Sequence, residues 1–584
     1  MATTEIPMNA LLEKAQPANP RKNRNLPIIG YFGRVKTALE VVAATTTQWV
    51  DRYEWERRFG HRVRVKAITQ DNIPFVQVLR NTGEEIEDIV AFMIPYPSSP
   101  RWEDRLTQIQ EFCEGADFIL QNFLPDVPGS SRLKDAQEPR AWISDCTLDP
   151  EANSHLRDCL LTNSQLYIAL KEKRFRMGVG FETVSNTRRI CIINPNGASI
   201  LALLRTAPAS QVYGFRILFA NYLNPNPVPE LVVIDPDWWG SCFIIACTLP
   251  FLAIGTQDRS DTRIFSSDNN LRARYDIGFL NLKYRISSRV RHESSCVPDN
   301  AVLHVAVYSL MITGRSEQYS TAVCLDDDFF DDEPRLANAD EVEQVDLDGI
   351  PDPIIFQFVG SKVQSSRAYA LLALAKQLER IVEYHGNIQE CMKRSFEFYT
   401  SIPDAHAIKA RKAVEDWRKN FPVNLNKLIQ FNSKLAEKVS HFLADDIRVG
   451  SDDIPYGELW RGLQAEPEAL KSLRAVKGFC SKLRDIGTGL EHLKDAFDVV
   501  RRESKNLYAV EQQSRDKIIE QITVAAFVLA IMNLIAQVYA GKPGNDDKTD
   551  WPGYITMVAI YTVICIPGIL WFVCQYRSRK NKAG

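Results

Sequence analysis

Residues 522–540, ITVAAFVLAIMNLIAQVYA, and residues 554–576, YITMVAIYTVICIPGILWFVCQY, contain no charged side chain and are separated by one short acidic loop. At about 1.5 Å rise per residue, each is long enough to cross a hydrocarbon core of roughly 30 Å. In lipid every backbone polar group has to be satisfied within its own segment, so both stretches read as transmembrane helices. The expected organisation is a large body anchored by a C-terminal two-helix hairpin. The flanking charges orient it. Arg501, Arg502, Lys505, Arg515 and Lys517 precede the first stretch, and Arg577, Arg579, Lys580 and Lys582 follow the second. The loop 541–553 has Lys542 and Lys548 against Asp546, Asp547 and Asp550. Positive charge marks the cytosolic side, so both termini are expected inside and the loop outside. The plasma membrane is the default location, and the bland reading of the hairpin is a plain anchor.

The rest of the 584 residues is too long for one core, and more than one domain is expected. A net charge of −3 does not suggest a nucleic-acid binder. The 12 cysteines form no CxxC pair, and several sit in apolar runs, as reduced buried thiols of a cytosolic body do. No Asn-X-Ser/Thr sequon occurs, and the N-terminus shows no apolar signal core. There is no P-loop, G-x-S-x-G or HExxH, and no nucleophile can be paired with a base. No enzyme activity and no covalent cofactor are therefore expected.

Residues 1–30 are polar and rich in Pro and Asn, an expected mobile tail. Residues 31–325 read as an α/β cytosolic domain. Strands are expected at 61–67, 75–79, 165–170, 189–193, 214–219, 231–234 and 302–307, with a helix over 101–123. An acidic stretch follows. CLDDDFFDDEPRLANADEVEQVDLDGIPD, residues 324–352, holds twelve Asp or Glu and one Arg. Hard divalent cations take carboxylate oxygens, which makes Asp326, Asp327, Asp328, Asp331 and Asp332 candidate ligands. The favoured reading is a solvated acidic linker over 326–364, because charge blocks usually stay in water.

From 365 the period becomes helical, and 365–521 reads as a stalk of long helices. Leu371, Leu374, Leu378, Ile381, His385, Ile388, Met392 and Tyr399 form a coiled-coil-like seam, with His385 as a packed interface histidine. A second helical region, about 405–444, is expected to be interrupted at Pro422. A third runs from Pro467 with no further proline until Pro543, so it is expected to continue into the first membrane span. Gly478, Gly487 and Gly489 weaken it by roughly 1 kcal/mol each relative to Ala. Residues 466–540 as one helix would reach about 110 Å.

Several segments resemble the CorA/ZntB superfamily of divalent-cation transporters, most nearly its divergent CorA-like members in filamentous fungi. Residues 248–254, TLPFLAI, resemble their HLPYFALR. Residues 322–331, AVCLDDDFFD, resemble YCFVDTYFD. Asp352-Pro353-Ile354 opens the helical region much as DPIWDPREYF does, and residues 472–477, SLRAVK, resemble SLRAIKETF. The resemblance covers about residues 240–584. It implies an α/β cytosolic domain, long antiparallel stalk helices, a transmembrane hairpin and a homo-pentamer that passes Mg2+ or Zn2+. The family signature is Gly-Met-Asn at the outer end of the first membrane helix. Here Ile531 replaces the glycine before Met532 and Asn533, and Asn533 lies seven residues, about 10 Å, short of the end of the apolar run.

Read without the family, Ala526, Ala530, Asn533 and Gln537 step by four, three and four. They make one small-and-polar stripe that should avoid lipid. Either it packs against another helix, or several copies turn it toward a pore where amide oxygens meet a cation. Asp546, Asp547 and Asp550 would concentrate cations outside. Two functions stand: an oligomeric divalent-cation channel or transporter, and a non-transporting, membrane-anchored interaction protein on a CorA-like scaffold.

Overall fold

A computed structural model describes most of residues 59–540. The longer internal stretches outside it are 61–69, 122–137, 148–159, 331–351 and 402–410, and beyond 540 only Thr556 and Ala559 are described. In chain order the elements begin with helices α1 (Phe75–Arg80), α2 (Asp88–Met93), α3 (Pro100–Cys113) and α4 (Ala116–Gln121). Strand β1 (Ala141–Thr147), helix α5 (Asn163–Lys171), strands β2 (Phe175–Met177) and β3 (Glu182–Ile193), and helices α6 (Gly197–Thr206) and α7 (Val212–Tyr222) follow. Next come β4 (Glu230–Ile234), β5 (Phe243–Thr256), β6 (Arg274–Asp276), β7 (Arg285–Ile286), β8 (Ser295–Cys296), β9 (Ala301–Ser316) and β10 (Tyr319–Asp326). The chain then turns helical: α8 (Ser366–Ser401), α9 (Arg411–His441) and α10 (Pro467–Ala540). Its contacts fall into two units, residues 1–498 and residues 499–584.

In the first unit one mixed sheet has the order β1-β3-β10-β9-β5-β4, with β2 added on β3 and β6 on β9. The β3–β10 pair is parallel and the other pairs are antiparallel. Strands β5, β9 and β10 are buried almost from end to end, as strands covered on both faces must be. Alternation assigns the faces. Ile190, Ile192, Ile244, Ala246, Met311 and Val323 point to a core filled by α6 and α7 with Phe92, Ile109 and Leu166. Cys191, Ile193, Ile245, Cys247, Phe251, Leu310 and Cys324 point to the opposite core. That second layer is made by Leu371, Leu374, Leu378 and Ile381 of α8, Leu435 and Val439 of α9, and Leu473, Val476, Cys480 and Leu483 of α10.

The three long helices run antiparallel in succession. His385 meets Asn432 and Ser395 meets Trp417 between α8 and α9, while Asn432 meets Leu483 and Ala436 meets Cys480 between α9 and α10. The seam expected on α8 is buried from Leu371 to Met392. It packs on the sheet as well as on helices, so the coiled-coil picture is corrected to a helical layer on a sheet. Pro422 does not interrupt α9. Phe421 and Leu425 beside it are fully buried, and that packing outweighs one missing backbone bond.

Strands are found as expected at 189–193, 231–234 and 302–307. Residues 75–79, 165–170 and 214–219 are helical instead. A capping box between Thr162 and Gln165 starts α5. Helix α7 is buried on nearly every side, and a short apolar run of that kind carries no period that separates helix from strand. The helix expected over 101–123 is two, α3 and α4, divided at Gly115 with φ of 74°. The expected strand 61–67 and the tail 1–30 lie outside the described residues.

Helix α10 is unbroken across its glycines. A Cβ on Gly489 would lie 1.9 Å from Nε2 of Gln389 on α8, and one on Gly487 would lie 3.0 Å from Nδ2 of Asn432 on α9. These glycines leave room for the amide ends of the Gln389 and Asn432 side chains. Helix α10 is buried at three- and four-residue steps as far as Phe497.

If the helical layer closes the sheet, Leu378→Ala should lower unfolding free energy by about 2–5 kcal/mol, because Leu378 is fully buried. Val423→Ala, on the exposed side of α9, should change it by no more than about 0.5 kcal/mol. Urea-induced unfolding of the purified chain checks both.

Candidate functional site

The acidic run at the end of β10 is a buried ion-pair hub. Strand alternation sends Asp327 to one side and Asp326 and Asp328 to the other. Asp327 is fully buried. Its Oδ1 accepts from the Tyr222 hydroxyl and lies 2.8 Å from Nη1 of Arg263. Its Oδ2 accepts from Nε of Arg272 at 2.6 Å and from the Val307 amide at 2.8 Å. Burial pushes the Asp327 carboxyl up, but Arg263 and Arg272 pull it further down, to about 2.

On the opposite side Arg380 of α8 reaches back to the strand. Its Nη1 is 2.9 Å from Asp326 and its Nη2 is 2.7 Å from Asp328. The guanidinium lies over the rings of Phe251, Phe330 and Tyr384. Burial raises the Asp326 carboxyl to about 6 against the pull of Arg380. Asn194, with φ of 47°, joins the two parallel strands: its amide donates to the Asp326 carbonyl and its Oδ1 accepts from the Asp328 amide. Asp352 is buried too, held by Arg189 at 2.9 Å and by the Tyr369 hydroxyl at 2.8 Å.

Within the expected solvated linker 326–364 the described residues are 326–330 and 352–356, and there residues 326–328 and Asp352 are corrected to core residues. It also corrects Asp326, Asp327 and Asp328 as cation ligands: guanidinium groups occupy their oxygens. Among the described residues no group of three or more His, Cys, Asp or Glu is arranged to hold a metal. Asp331 and Asp332 lie outside them. The partners Arg263, Arg272 and Arg380 are dozens of residues away in sequence, and no local signal marks them.

A second polar chain crosses the helical layer. The Leu252 amide of β5 donates to Nε2 of His385 on α8, at 3.3 Å. That leaves Nδ1 as the donor to Oδ1 of Asn432 on α9, 3.1 Å away. Asn432 in turn donates from Nδ2 to the Leu483 carbonyl of α10. Burial lowers the His385 pKa to about 4.

The expected pore stripe lies in the second unit. Ala526, Ala530, Asn533 and Gln537 are exposed and Met532 is half-buried, all on the one helix α10. Ile519, Ile522, Val524, Phe527 and Leu529 are each about 60% exposed, so no side of this stretch is covered by the described residues. Among those residues no helix is long and apolar enough to cross a membrane. The side chains at 531, 534–536 and 538–540, and all of the second expected span except Thr556 and Ala559, lie outside the described set. So do Asp546, Asp547 and Asp550.

No family model and no curated protein matches the chain. Among solved structures it is similar to the complete structure of the CorA magnesium transporter from Methanocaldococcus jannaschii, at 10% identity. The alignment covers 68% of this chain and 93% of that chain, with a TM-score of 0.33. A likeness of that degree decides neither fold nor function.

Two outcomes test the buried polar groups. Asp327→Asn leaves Arg272 short of a counter-charge in the core, while Arg263 keeps Asp261 at 2.7 Å, and should cost about 3–5 kcal/mol at neutral pH. Urea-induced unfolding reads the loss. For His385 the folded pKa is depressed, so the unfolded chain binds the proton more readily. Its stabilisation is present above the ordinary value near 6.5 and is lost as pH falls through about 4. The thermal midpoint of His385→Asn should depend less on pH across that window than that of the natural chain.

Proposed function

We propose that the chain is a CorA-like, homo-oligomeric channel or transporter for a divalent cation of the Mg2+ or Zn2+ class. Its pore is lined by the face of α10 that carries Ala526, Ala530, Asn533 and Gln537. One observation carries the reading: α10 continues unbroken to Ala540, and the apolar Ile522, Val524, Phe527 and Leu529 beside the stripe are exposed among the described residues. A helix of that character needs an apolar surrounding, which a bilayer supplies. Asn and Gln are costly against lipid, so the stripe turns to other copies of the helix. Around an axis, repeated amide oxygens bridge or replace a cation's hydration shell. A hairpin alone encloses no pore, so the reading requires several copies, five by the family resemblance. The buried seam of α10 belongs to the helical layer, so the same helix serves both the body and the stripe.

A second reading is a membrane-anchored interaction protein without transport. It is favoured by Ile531 in place of the signature glycine and by the depth of Asn533.

Flux of Mg2+, Zn2+, Co2+ and Ni2+ into proteoliposomes distinguishes the two. The natural chain should conduct at least one of them, and Asn533→Ala should lower that flux about tenfold or more, equivalent to ~1.4 kcal/mol of barrier. A chain that passes none of the four and has a monomer's mass in detergent is the anchored scaffold.

A further inference from the structure

An open cleft of about 770 Å³ lies in the first unit and shares no lining residue with the ion-pair hub. Its walls are Asp276 at the end of β6, Phe279 in the turn after it, Tyr399 of α8, and Asp416, Asn420 and Asn424 of α9. The last three are spaced by four and share one helix face. Asp276 and Asp416 stand at the exposed rim, and neither has an ion-pair partner among the described residues. Lys427, on the same helix, lies over the Tyr275 ring at 3.6 Å and pairs with neither.

Asn424 forms the floor and is only 7% exposed. Its Nδ2 donates to the Asn420 carbonyl at 3.0 Å, which fixes the amide's orientation and turns Oδ1 the other way. That oxygen is buried and has no hydrogen-bond partner among the described residues. A buried acceptor without a donor is costly and is uncommon in folded proteins. The aromatic wall is held rigidly, because the Tyr399 ring stacks on Trp417 at 4.8 Å and its hydroxyl donates to the Phe279 carbonyl.

We propose that this cleft binds an alkyl polyamine. Two carboxylates without cationic partners, on separate elements, suit two separated ammonium groups. The orphan amide oxygen accepts an N–H, and the aromatic wall suits an alkyl stem carrying positive charge. The volume is that of a small-molecule site. A bare metal ion fits less well, since the two carboxylates have no third acidic, His or Cys partner among the described residues.

The test is calorimetric titration of the full-length chain in detergent with spermidine, and separately with Mg2+, at matched ionic strength. Spermidine should bind saturably. Asp416→Asn and Asp276→Asn, both at exposed positions that folding tolerates, should each weaken it about tenfold, as loss of a charge-assisted hydrogen bond does. Absence of saturable binding overturns the proposal. So does spermidine affinity unchanged in both variants, which would place the amine elsewhere, such as at the acidic loop 541–553. Displacement of spermidine by equimolar Mg2+ would also overturn it and make the cleft a metal site.

Discussion

A sheet that is apolar on both faces has to be covered twice, and the first unit follows from that constraint. Strands β5, β9 and β10 present buried side chains along almost their whole length. Helices α6 and α7, with parts of α2, α3 and α5, cover one face; α8, α9 and the first third of α10 cover the other. The helices that a linear reading separates as a stalk are therefore, over much of their length, the second wall of the α/β domain. Beyond the sheet they continue packing on one another through Trp417, Phe421, Leu490 and Phe497.

Burying both faces at the strand ends also buries charged groups there, and the aspartates that end β10 are answered across layers. Three successive aspartates at the end of β10 divide between Arg263 and Arg272 on one side and Arg380 on the other. His385 and Asn432 join β5, α8, α9 and α10 through three hydrogen bonds. Apolar contacts tolerate sliding of one layer over another, whereas a buried charge that loses its partner is heavily penalised, so these pairs define one register. In the cleft beside α9 the buried Asn424 oxygen has no such partner among the described residues.

Much of the architecture was legible because it rests on long periodic signals. The seams of α8 and α10 show three- and four-residue steps over many turns, and the unbroken course of α10 followed from the absence of proline. Strands β3, β4 and β9 were legible from β-branched runs. The errors fell where the signal is short. Residues 165–170 and 214–219 are as apolar as a buried strand, and their caps and surroundings decide for helix. Of the candidate site residues, Ala526, Ala530, Asn533 and Gln537 lie along α10. The acidic run was misread because its composition suits water and its partners are distant in sequence.

The sequence by itself determined the α/β body followed by long helices and the apolar, uncharged character of residues 522–540 and 554–576, since these depend on periodicity and composition along the chain. Only the tertiary structure decided that Asp326, Asp327 and Asp328 are core ion pairs, that Gly487 and Gly489 leave room for the Asn432 and Gln389 side chains, and that α8 rests on a sheet. Each of these is a matter of which distant group lies opposite. Solvation and partner charge set the state of a carboxylate, and a neighbouring side chain sets the space at a glycine, and neither is encoded within a local window.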